Sequence, residues 1–263
     1  MTIIANVIFW IFIACIALYI LIRLINVSIY GKTQPFRIVD EHTTISDVEI
    51  NDLGNKYLEH LKTDLKLEYA THEEYVSVYD QLDEKNETIV IPKWYMSSAG
   101  YELDYVFASI WFNTSLYNKN KFAKVWRSRA ILIPFYSALT FWIALAFSIV
   151  LKITTMVLSN TAFLVGEQLL FDILMITFSL IGTIGTMIYI MCIIYVNTYK
   201  NLIEAQYESS LSSFITKECK IYKDEIIAAR HYAISISKVD MRTFKINKTK
   251  AGELKFMGPF VII

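Results

Sequence analysis

Tyr101–Tyr117 reads YELDYVFASIWFNTSLY. Leu103, Val106, Phe107, Ile110, Trp111, Thr114 and Tyr117 fall at i, i+3, i+4, i+7 and onward, which predicts a helix with a wide apolar stripe. Glu102 and Asp104 stand near its start, where the helix dipole favours acids. A helix this apolar is expected to be buried or to lie at a membrane interface, so the segments on either side decide how the chain is built around it.

On its C-terminal side come Lys119, Lys121, Lys124, Arg127 and Arg129, then the apolar run Ile131–Leu151, with only Lys152 before Glu167 and Asp172. About twenty apolar residues cross ~30 Å of hydrocarbon as a helix, and positive residues stay on the cytosolic side. This run is therefore expected to pass from the cytosol outward. A further run, Ile173–Val196, returns, with Lys200 beyond it. Near the N-terminus Ile3–Ile22 is a third span; Arg23, Lys32 and Arg37 follow it and no charge precedes it, which predicts a retained anchor with the N-terminus outside. Within the last span, Ser179, Gly182, Gly185 and Thr186 would let another helix backbone approach closely, either the preceding span of the same chain or a second copy in a homo-oligomer.

The region between the first two spans is expected to be a small cytosolic α+β unit. Ser46-Asp-Val-Glu49 has capping-box spacing. The helix after it places Ile50, Leu53, Tyr57, Leu58 and Leu61 on one face, weakened by Gly54. Tyr75–Tyr79 and Thr88–Ile91 read as strands of a β-hairpin joined by residues 80–87, with Pro92 ending the second. The predicted divisions are an anchor over 1–25, a cytosolic region over 26–129 with the central helix at 98–118, a transmembrane hairpin over 130–198, and a cytosolic helical region with an apolar tail over 199–263. That tail, Phe256–Ile263, is expected to pack as an edge strand or dock on a partner. The fold class is thus a mostly α membrane protein with three transmembrane helices and a small cytosolic α+β region.

Composition agrees with this reading: hydrophobic residues make up 55% of the chain, above the roughly 45–50% of soluble domains, and the mean hydropathy is +0.40. Lys+Arg and Asp+Glu balance at 25 each, so charge gives no reason to expect nucleic acid. Cys15, Cys192 and Cys219 lack C-x-x-C spacing and read as small apolar core residues. His42, His60, His72 and His231 are scattered and read as surface residues. The chain contains no H-E-x-x-H, G-x-S-x-G, P-loop or G-x-G-x-x-G pattern.

Three short segments carry a resemblance. Glu87-Thr-Ile-Val-Ile-Pro92 leads into the central helix. Trp126-Arg-Ser-Arg-Ala-Ile-Leu-Ile-Pro134 is similar to F-R-S-A-L-V-P with two residues added, and Ile203-Glu-Ala-Gln-Tyr-Glu-Ser-Ser210 is similar to V-E-F-N-A-S-S. In these and in the order of its parts, the chain resembles the YugP-like neutral zinc metallopeptidases of bacterial membranes. The resemblance implies a zinc helix at the central position. Counting back from Arg127, it puts Ser109 at the first histidine, Ile110 at the general-base glutamate, Asn113 at the second histidine and Glu204 at the third ligand.

Serine and amide oxygens replace imidazole poorly on zinc, and isoleucine cannot take a proton from water. The expectation is a pseudopeptidase of the plasma membrane: no catalytic residues, no metal, no cofactor, vestigial positions at Ser109, Ile110, Asn113 and Glu204, and a protein or peptide partner at the cytosolic face. Two alternatives stand beside it. One is an active hydrolase using Glu204 with Glu208 and a distant histidine. The other is a small transport or channel subunit, against which the spans carry almost no ionisable residues.

Overall fold

A computed structural model describes residues 2–32, 45–70, 78–79, 81–91, 98–158, 165–235 and 258–260. In chain order these form α1 (Thr2–Lys32), α2 (Asp47–His60), β1 (Lys66–Tyr69), β2 (Leu82–Asp83), β3 (Thr88–Ile91), α3 (Ala99–Tyr117), α4 (Lys121–Trp126), a π-helical turn (Arg127–Leu132), α5 (Ile133–Leu158), α6 (Val165–Glu218) and α7 (Lys223–Ser235). The chain is mostly helical with one small three-stranded sheet. It divides into two compact units, one of Met1–Lys32 with Ile131–Tyr195, the other of Thr33–Ala130 with Val196–Ile263.

The first unit contains the apolar helices. Three helices are long and apolar enough to cross a membrane, at Ile3–Ile25 and within Lys121–Val157 and Glu167–Glu218. Their inward faces meet in two clusters. Phe12, Ile16 and Tyr19 pack with Ala138, Phe141, Ala144, Tyr189 and Ile190, while Ala5 and Phe9 pack with Leu151 and Met175. The outward residues, Trp10, Phe147, Ile184 and Met187 among them, are half exposed or more and apolar, as lipid-facing side chains are.

The small residues of the last span are taken up inside the chain. A Cβ on Gly182 would enter the Phe12 ring of α1, a Cβ on Gly185 would lie 3.2 Å from the Ser137 carbonyl oxygen of α5, and Ser179 meets Ser148 at 3.3 Å. This is packing against both other helices of the same chain.

The second unit begins with the expected capping box. Ser46 Oγ accepts from the Glu49 amide at 3.3 Å, and Glu49 Oε2 accepts from the Ser46 amide at 3.4 Å. Ser46→Ala is expected to cost about 1 kcal/mol, read as a lower thermal midpoint of the detergent-solubilised protein. Ile50, Leu53, Gly54, Tyr57 and Leu58 form the buried face of α2. Gly54 has a use in this place, since a Cβ there would lie 2.6 Å from Leu67 Cδ2 of β1.

The sheet differs from the expected hairpin. β3 lies in the centre, antiparallel to β2 (Leu82 opposite Ile89) and parallel to β1 (Lys66 opposite Thr88). The strand before the turn is Leu82–Asp83 because the Asp83 carboxylate accepts from the Lys85 and Asn86 amides and the Asn86 side chain, tightening Glu84–Glu87 into the connection. Of the expected first strand, Tyr75–Ser77 lies outside the described residues, as does Pro92. Val78 and Tyr79 are buried and non-strand. β1 escaped notice because Lys66 and Glu68 give KLEY an outward polar face.

α3 is the axis of this unit. Every residue from Ala99 to Ser115 is buried, and only Tyr117 of the predicted stripe is exposed. A helix apolar on all sides calls for neighbours on all sides; α2, α4, α7 and β3 supply them.

The described part of the tail packs on the same chain. Phe260 is fully buried against Trp111, Phe112, Trp126 and Tyr207, and the Gly258 carbonyl accepts from Tyr105 Oη at 2.8 Å. The rest of the tail is outside the described residues.

Candidate functional site

Three helices of the second unit bring ionisable side chains together in its core. α3 supplies Asp104, α6 supplies Lys200, Glu204 and Tyr207, and α7 supplies Arg230; all five are buried. Arg230 Nη1 lies 3.4 Å from Asp104 Oδ2, and Arg230 Nη2 donates to Glu204 Oε2. Lys200 Nζ is 3.6 Å from Glu204 Oε1 and donates to the Ala233 carbonyl at 2.8 Å. Tyr207 Oη donates to Asp104, with its carbonyl and Oδ1 both at 2.9 Å, while the guanidinium carbon lies 4.6 Å from the centre of the Tyr207 ring.

Two acids and two bases make the group formally neutral, which is the condition for keeping charges out of water. The remaining cost shows at Asp104. Burial pushes its carboxyl up to about 6; the Arg230 guanidinium opposes that rise and Glu204 adds to it. For Arg230 burial alone would loosen the proton, but Asp104 and Glu204 outweigh it and hold the group firmly charged. Burial likewise pushes the Cys219 thiol up to about 12, as expected for an inert core cysteine.

The residues singled out from the sequence occupy two places. Ser109, Ile110 and Asn113 sit on buried α3, where the Asn113 amide donates to the Ser109 carbonyl at 2.7 Å and to the Val78 carbonyl at 3.2 Å. Glu204 instead accepts from Arg230 and is ion-paired with Lys200. The structure joins Ser109 with Asn113, and no hydrogen bond links either to Glu204. Among the described residues, no three His, Cys, Asp or Glu side chains converge as a metal site.

The histidines are likewise apart. His60 stacks on Tyr57 and meets Ser213 Oγ at 3.2 Å, and His42 and His72 lie outside the described residues. His231 and Glu208 line one groove between α6 and α7, about 110 Å³ in volume, floored by Leu211, Ile215 and Arg230.

No protein-family model, curated protein or solved structure matches the chain.

Sequence reasoning missed Arg230 and Tyr207, and it assigned Asp104 only to the helix dipole and Lys200 only to membrane orientation. A signal was present. Lys200, Glu204, Tyr207, Leu211 and Phe214 recur at three and four along α6, and Ile226, Ala229, Arg230 and Ala233 do so along α7. Charges at core positions of two apolar stripes call for each other.

Proposed function

We propose that the chain keeps the plan of a membrane zinc peptidase without its chemistry, and serves as a non-catalytic module that holds a membrane protein or extended peptide at the cytosolic face of a bacterial plasma membrane. The observation that carries this reading is the use to which the four candidate positions are put. Asn113 ties α3 to Val78, Ile110 is apolar core, Ser109 lends its carbonyl to Asn113, and the Glu204 carboxylate is held between Arg230 and Lys200. A carboxylate committed to two cations is a poor metal ligand, because binding would leave Arg230 unpaired in the core.

In this reading an extended partner adds to β1, an outer strand of the sheet. A photo-crosslinker placed at Glu68, exposed on β1, should yield one discrete adduct in intact membranes and none when placed at Lys217. Equal, diffuse labelling from both sites would count against it.

A second reading, a hydrolase, draws on the groove that brings Glu208 and His231 to one surface. Two such groups fall short of the three protein ligands of a catalytic zinc site.

A further inference from the structure

We propose that the segment Lys119–Arg129 is a docking site for anionic phospholipid headgroups, seated in the leaflet that α5 enters. The proposal rests on α5 being a membrane span, and on nothing in the pseudopeptidase reading. Lys119, Lys121, Lys124 and Arg129 are all exposed, and none carries an ion pair among the described residues. The chain contains no acid from Tyr105 to Gly166, so the segment has no local counter-charge in sequence.

One exposed aromatic ring, Phe122 at 38% exposure, is interleaved with these cations, and Tyr117, two residues before Lys119, is exposed and donates its hydroxyl to Glu87 at 2.9 Å. The N-terminal turn of α4 presents Lys121 and Phe122 outward while Ala123 and Trp126 face the core, so the helix offers a mixed basic and aromatic face.

Position selects the partner. Ile131–Leu151 gives about 31 Å of helix at 1.5 Å per residue, close to the ~30 Å hydrocarbon thickness. Arg129 therefore lies two residues before that boundary in sequence and Lys124 seven, so chain connectivity tethers both close to the headgroups of the leaflet that α5 enters. Basic residues in that position gain about 1 kcal/mol each from an anionic leaflet, and aromatic rings prefer the same layer. An acidic protein would meet the same charges, but the leaflet that α5 enters is the anionic surface that chain connectivity holds next to them.

The test compares two triple variants of equal charge change, K121Q/K124Q/R129Q and K217Q/K220Q/K223Q, the second set lying on the same unit around the α6–α7 turn. Full-length protein is reconstituted in nanodiscs of phosphatidylcholine mixed with phosphatidylglycerol, and retained lipids are counted by native mass spectrometry after delipidation. Wild type and the second variant should retain phosphatidylglycerol selectively. The first variant should lose that preference at least tenfold, since three charges at about fivefold each give about a hundredfold. Equal retention of both lipids by wild type, or equal loss in both variants, would overturn the proposal. A chain that stays dispersed without detergent would instead refute the span on which it rests.

Discussion

Arg230→Met should destabilise the second unit by about 3–5 kcal/mol, the cost of leaving buried carboxylates without their cation. Asp104 and Glu204 both lose the guanidinium, and only Lys200, 3.6 Å from Glu204, remains. The loss should depend on pH in a defined direction. Asp104 binds its proton more tightly folded, at about 6, than unfolded, at 3.8. A raised carboxyl favours the folded state below about 4, and that contribution disappears as pH rises through 4 to 6. Removing Arg230 raises the carboxyl further, so the deficit should grow as the pH rises above about 6 and should shrink as the pH falls toward 6, where both proteins carry a protonated Asp104. Thermal midpoints of wild type and variant across pH 4–8 check this. A matched D104N/E204Q/R230M variant should recover most of the loss, because all the charges in conflict are gone. A deficit that is independent of pH and persists in the triple variant would show that Arg230 matters by packing alone.

Gly100→Ala should cost about 2–3 kcal/mol, near the upper end for overpacking a core. Its Cβ would fall 2.6 Å from both the carbonyl carbon and the carbonyl oxygen of Glu225, and backbone in the first turn of α7 cannot swing aside as a side-chain tip can. Relief requires α7 to move off α3, which also draws Arg230 away from Asp104. Gly54→Ala is the control: there the obstacle is the end of the Leu67 side chain, and alanine gains up to ~1 kcal/mol of helix propensity. The expected order of thermal midpoints is wild type near Gly54→Ala, with Gly100→Ala well below.

The parts of this fold written in local pattern could be read from the sequence. Three apolar runs of span length, the Ser46–Glu49 box and the burial face of α2 each depend on residues within a few turns of one another. The central helix and the burial of its apolar stripe follow from its own residues, but the burial of Glu102 and Asp104 does not, since acids near a helix start satisfy the dipole without a distant partner. What decides Asp104 is Arg230, 126 positions away, and no local rule pairs them. The strand register was lost for a similar reason. Val78 and Tyr79 have strand composition, yet Val78 gives its carbonyl to Asn113 and Tyr79 its hydroxyl oxygen to Trp126. α6 also runs unbroken for 54 residues, about 80 Å. Its second half therefore continues directly from the last apolar run, and the helical stretch expected from Lys200 to about Met241 is divided between α6 and α7, residues 236–241 lying outside the described residues.

Metal content together with peptide cleavage tests most directly whether the four candidate positions serve structure and not metal chemistry. Full-length protein purified without chelator and supplied with zinc should bind less than one equivalent, and should cleave no peptide in a chelator-sensitive manner. One zinc per chain, with cleavage abolished by chelator and by Glu204→Gln or His231→Ala, would contradict it.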